Sequence, residues 1–226
     1  MNPHGVSRRK LLSLVTAGAA SAAGLLIVDR RNASGPRLPG ISPVNAGGPP
    51  RKRGSKTLVV YFSKTGRNYP DLNLTVGNTA QVAGFIHDRV GGDIFEIHPA
   101  EPYPADYDQT VDMAQREERE RIYRDIKPGA PDTDQYGTVF LGYPIWWGEQ
   151  PMAVQTFMRR HDLNGSKIVP FATHEGSGFG NSLTVIKQYY PNADVLDGYT
   201  RQGQDVYRDP DGTRTEVGSW LRRLGF

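Results

Sequence analysis

From Thr57 onward the chain alternates short apolar runs with longer amphipathic ones. The run "TLVVYFS" (57–63) is apolar through its middle and rich in β-branched residues, the pattern of a strand buried on both faces. Four more runs read as strands: "GGDIFEIHP" (91–99), "TVFLGYP" (138–144), "SKIVPFATH" (166–174) and "ADVLDGYT" (193–200). Between them the period changes. Val82, Phe85, Ile86 and Val90 form one helical stripe in 78–90, as do Val154, Phe157 and Met158 in 151–161, where Pro151 suits a first turn. Leu183, Ile186 and Tyr190 align in 181–190, and Val217, Trp220, Leu221 and Leu224 align in 216–226. Segment 106–125 has helical spacing but is mostly charged, so it reads as a helix lying in solvent. Strand and helix alternating in this way predict one open, mostly parallel α/β sheet. Ligands of such sheets bind beyond the carboxyl ends of the strands, which directs attention to the loops after Ser63, Pro144 and His174.

Before Thr57 the pattern is different. Arg8, Arg9 and Lys10 precede an uncharged stretch from Leu11 to Val28, and Asp29-Arg30-Arg31 closes it. Ser7-Arg8-Arg9 followed by Leu11-Leu12 resembles a twin-arginine export signal, with leucine where an aromatic residue usually follows the pair. Alanine and glycine dilute the stretch, as that route favours, although its length also suits a membrane anchor. Residues 30–56 are rich in Pro, Gly, Asn and Arg without periodicity and read as a flexible linker. The sequence therefore divides into a signal or anchor (1–29), a linker (30–56) and one domain (57–226).

Charge sharpens this division. A pI near 9.1 suggests a nucleic-acid partner, but 10 of the 27 basic residues lie before Thr57 beside a single acid, Asp29. From Thr57 on the balance is −6, so a nucleic-acid-binding domain is excluded. The absence of cysteine excludes disulfides, thiolate metal ligands and thiol catalysis.

Each of the three loops has unusual chemistry. In 63–79, Ser63, Thr65, Gly66, Gly77, Asn78 and Thr79 offer hydroxyls and open backbone where a helix begins, a cradle for an anion such as a phosphate. The Gly-Lys-Ser/Thr ending of a nucleotide triphosphate loop is missing. In 144–151, Trp146 and Trp147 stand before Gly148 at a loop tip, a candidate platform for a flat ligand or else a pair of core indoles. In 173–182, Gly176, Ser177, Gly178 and Gly180 let backbone amides approach a polar edge, and His174 is expected to fix the loop by a hydrogen bond.

Together, "YFSKTG…GNT", "FLGYPIWWGEQPM" and "VPFATHEGSGFG" resemble the flavodoxin-like proteins, in particular a branch with Tyr-Pro-x-Trp-Trp and Thr-His-x-Gly-Ser-Gly loops. The resemblance implies a doubly wound, five-stranded parallel sheet of order 2-1-3-4-5 that binds FMN. It implies that Ser63, Thr65, Gly66, Asn78 and Thr79 hold the phosphate, and that Pro144, Ile145, Trp146 and Trp147 lie along the flavin ring. Thr173, His174, Gly176, Ser177 and Gly178 would line the ring's other side. Two features depart from the family's pattern: residues 67–76 interrupt the phosphate loop, and Glu175 stands where many relatives have glycine. A carboxylate beside the ring would lower its potential. The function implied is an exported electron carrier serving a redox protein or a small-molecule acceptor, and the N-terminal segment is a candidate membrane attachment. An NAD(P)H:quinone-type reductase and an exported domain without flavin are the competing readings.

Overall fold

The computed structural model describes residues 52–226 and, before them, Ser42 alone. The expected signal and most of the linker lie outside the described residues. The chain builds β1 (Lys56–Tyr61), a hairpin of β2 (Gly66–Asn68) and β3 (Leu72–Leu74), α1 (Asn78–Val90), β4 (Asp93–Glu96) and α2 (Tyr107–Glu120). It continues through β5 (Tyr136–Pro144), α3 (Met152–Arg160), β6 (Lys167–His174), α4 (Ser182–Tyr189), β7 (Asp194–Val195), β8 (Tyr199–Gln202), α5 (Gly203–Arg208) and α6 (Pro210–Leu224).

The main sheet is parallel with order β4-β1-β5-β6-β7, and β8 also pairs with β6. Counting β7 and β8 as two halves of one strand, this is the expected 2-1-3-4-5 order. The division has a local cause. β7 stops at Val195 opposite Ile168 and β8 starts at Tyr199 opposite Phe171, so the gap faces Pro170, which has no N–H for a ladder.

Alternation along the inner strands supplies two cores. Leu58, Val60, Val139, Leu141 and Tyr143 face α3 and α4, burying Val154, Phe157, Met158 and Tyr189. Val59, Phe140, Val169 and Phe171 face the other way, against Val82 and Ile86 of α1 and Val217, Trp220 and Leu221 of α6. Gly142 serves this second core, because a Cβ there would lie 2.1 Å from Cζ of Phe171 on the neighbouring strand.

Three expectations need correction. The folded part reaches into the expected linker: Arg53, with a side chain only 2% exposed, donates to the carbonyls of Asn164 (2.8 Å) and Asp162 (2.9 Å) and pairs with Asp134. The charged helix ends at Glu120, not Asp125, and it is not simply solvated. It buries Thr110, Ala114 and Glu117, and Glu117 accepts from Arg124 Nε (2.7 Å) and Tyr103 OH (2.8 Å). The last helix begins at Pro210, where Asp209 caps Gly212 N–H (2.9 Å), about two turns before its apolar stripe.

Candidate functional site

β1, β5 and β6 end side by side, so their three loops meet at one edge of the sheet. The first loop closes tightly on α1. Ser63 Oγ accepts the N–H of Ala80 at 3.1 Å, one of the first-turn amides that a helix cannot satisfy itself. The cap is Gly77, where a Cβ would stand 2.2 Å from Ser63 Oγ and 2.7 Å from the Lys64 carbonyl. Asn78 Oδ1 is buried here without a partner. Thr79 Oγ1 lies 2.8 Å from Thr173 Oγ1, a buried bond that joins this loop to the third. Residues 67–76 form most of the β2–β3 hairpin, entered through Gly66 at φ 75. Asn68 Nδ2 donates to the carbonyls of Gly66 (3.0 Å) and Lys64 (3.3 Å), so the inserted residues brace the loop, while Thr65 stays exposed.

The second loop is a two-residue turn. Trp146 and Glu149 exchange both backbone hydrogen bonds (2.9 and 3.1 Å), with Trp147 at φ 50 and Gly148 at φ 84 between them. Positive φ at both central residues is the primed turn geometry, natural for glycine and uphill by about 1 kcal/mol or more for tryptophan. The indole pair divides. Trp146 is half-buried, edge-on to Phe62 (5.5 Å) and Tyr103 (4.9 Å), and Ile145 packs on the same core. Trp147 stays 38% exposed, and its Nε1–H donates to the Val111 carbonyl of α2 at 3.2 Å. Pro144 ends β5, and Ile145 N–H bonds the Thr173 carbonyl at 2.8 Å.

The third loop holds Gly176, Gly178 and Gly180 at φ 111, 57 and 51. His174 acts as expected: its Nδ1 accepts the N–H of Gly176 at 2.9 Å. Burial lowers its pKa, against the nearby Asp205 carboxylate, and so favours the neutral ring that can accept. The loop locks onto the tryptophan turn through Asn181 N–H to the Gly148 carbonyl (2.7 Å), and a Cβ on Gly180 would stand 2.4 Å from that carbonyl. Glu175 turns to the starts of α1 and α5. Its Oε2 accepts from Gln204 Nε2 at 3.1 Å, while a Cβ on Gly203 would meet Asn78 Nδ2 at 2.6 Å and Glu175 Oε1 at 2.7 Å. Burial raises the Glu175 pKa, Asp205 adds to the rise, and Gln204 opposes it. Ser177 is exposed on the same loop.

The three groups of expected residues are thus joined, first loop to third at Thr79–Thr173 and second to third at Gly148–Asn181. Sequence reasoning missed Tyr103, Arg121, Glu149 and Gly203. No local pattern distinguishes them, since Arg121 sits in a run of charge and Glu149 follows the tryptophans without a spacing signal.

The flavodoxin family model matches residues 56–222. The chain belongs to the flavodoxin family. Among solved structures, this flavodoxin-family chain resembles a candidate flavoprotein from Bacteroides eggerthii DSM 20697, at 33% identity and TM-score 0.59 over 76% of this chain and 99% of that one. A candidate flavoprotein from Bacteroides uniformis ATCC 8492 is 28% identical, with TM-score 0.60, over 75% of this chain and 99% of that one. A flavoprotein from Lactobacillus acidophilus NCFM, solved in complex with FMN, shares the fold at 19% identity and TM-score 0.52, over 69% of this chain and 98% of that one. No curated protein matches the chain.

Proposed function

We propose that this protein binds FMN where its three loops meet and carries electrons outside the cytoplasm. The observation that carries the reading is the joining of an amide-rich helix start, an exposed indole and a glycine-rich loop through the bonds Thr79–Thr173 and Gly148–Asn181. The residues present fit the cofactor. Asn78 Oδ1, a buried acceptor still lacking a partner, can take a hydroxyl of the cofactor's ribityl chain, exposed Thr65 offers a hydroxyl to the phosphate, and Trp147 offers an exposed aromatic surface. The complex of the Lactobacillus relative with FMN supports the same ligand.

When bound, FMN supplies one- and two-electron transfer at its ring. The chain's own work is binding and orientation. Ser63, Thr65, Gly66, Asn78 and Thr79 hold the phosphate with hydroxyls and amides at the start of α1, where the helix dipole favours an anion. Pro144, Ile145 and Trp147 wall one side of the ring, and Trp146 backs that wall through Phe62 and Tyr103. Thr173, His174, Gly176, Ser177 and Gly178 line the polar edge. The −6 balance from Thr57 onward favours a redox partner with a basic face. Export rests on Arg8 and Arg9: replacing both by lysine should retain the protein in the cytoplasm, as fractionation would show.

The purified protein should be yellow and release FMN on denaturation. A colourless protein that takes up no FMN on titration rejects the reading. Steady-state assay with NAD(P)H and a quinone separates carrier from reductase, since rapid turnover would identify the latter.

A further inference from the structure

The turn carrying Trp147 is held by a carboxylate that flavin binding as proposed does not use. The Glu149 side chain is 6% exposed and accepts four hydrogen bonds. Arg121 donates from Nη1 (2.6 Å) and Nη2 (3.2 Å), Gln155 from Nε2 (3.1 Å) and Asn181 from Nδ2 (3.3 Å). These donors come from the end of α2, from α3 and from the loop before α4, so one carboxylate ties the turn to its surroundings on three sides. Arg121 is placed to reach it because α2 stops there: Arg121 is left-handed at φ 53, with its N–H on the carbonyls of Glu117 and Glu118.

Such a pair is a poor device for stability alone, because desolvating both ions offsets their attraction. The forked guanidinium contact does fix an angle. Trp147, two residues away, gives its Nε1–H to the Val111 carbonyl of the same helix. Helix α2 therefore grips the turn at both the indole and the carboxylate, against a backbone conformation that tryptophan resists.

We propose that Arg121 and Glu149 are positioning residues that hold Trp147 as a preformed wall of the flavin site. This rests on the FMN reading above. The pair touches no ligand; it acts through the indole. Loss of the fork frees the turn to leave its left-handed conformation, and the indole swings away from α2.

The test uses Arg121→Met and, because that variant leaves a buried unpaired carboxylate, the neutral double variant Arg121→Met/Glu149→Gln. Each is made with Trp147 retained and with Trp147→Ala, and its melting is checked by circular dichroism. In flavin-free protein, acrylamide quenching of tryptophan emission should rise when Arg121 is lost and Trp147 is present. FMN affinity should fall about tenfold with Trp147 present and by less than about twofold in the Trp147→Ala background, the coupling expected of residues acting through one another. Unchanged quenching, or an equal loss of affinity in both backgrounds, overturns the proposal. Increased quenching in a protein that never takes up FMN would uphold the positioning of Trp147 while rejecting the flavin reading.

Discussion

Trp147 is costly twice over, with a left-handed backbone and an indole left 38% exposed. A residue kept in such a place is best explained by what it meets. Trp147→Ala should weaken FMN binding by about 2 kcal/mol, the value of a lost aromatic stack and its buried area, read by fluorescence titration. His174 gives a second prediction. Its folded pKa lies below 6.5, so the unfolded chain binds the proton more readily. The stability held by its bond to Gly176 is then complete above pH 6.5 and is lost as the pH falls through the lowered value. Melting temperature from about pH 7.5 down to 5 should drop more in the native protein than in His174→Gln, which does not titrate. At this scale the sequence foretold His174's bond. It could not separate Trp146 from Trp147, because two adjacent indoles have the same local pattern, and the packing of Phe62 and Tyr103 decides which turns inward. The expectation for Glu175 came from the family resemblance, which gives no side-chain partner for it. Its carboxylate accepts from Gln204, a partner 29 residues away.

Among the elements, the strands were the most legible, since period-2 burial on two faces needs only the chain itself. β5 and β6 also show how close packing is written in small residues. Gly142→Ala should destabilise the protein by about 1–3 kcal/mol, because the Phe171 ring occupies the space a Cβ would take. Urea unfolding would measure it, and Phe171→Leu in the same background should recover part of the loss. Helix α2 was legible as a helix and misread as surface. Its inward face is polar, with Glu117 made tolerable by Arg124 and Tyr103, a pairing that hydrophobic periodicity cannot register. The inserted residues 67–76 read as an undefined loop because strands of three residues are too short to show a period.

The folded unit as a whole begins earlier than composition suggested. Arg53 lies in a stretch rich in Pro, Gly and Arg, yet it joins the segment just before β1 to Asp134 and Asp162, more than 80 residues on. A chain beginning at Ser55 should melt lower than one beginning at Lys52, since it leaves Asp134, Asp162 and the Asn164 carbonyl without Arg53. Among the described residues no helix is long and apolar enough to cross a membrane. By itself the sequence determined the open, mostly parallel α/β class, the two buried faces, the three loops and the acidic balance of the domain, because burial and charge are properties of residue type and spacing. Only the tertiary structure decided which indole turns inward and which stays exposed, that residues 67–76 fold as a hairpin, and that Glu149 takes its hydrogen bonds from Arg121, Gln155 and Asn181. The first and last depend on contacts between residues far apart in the chain, and such contacts leave no periodic trace along it.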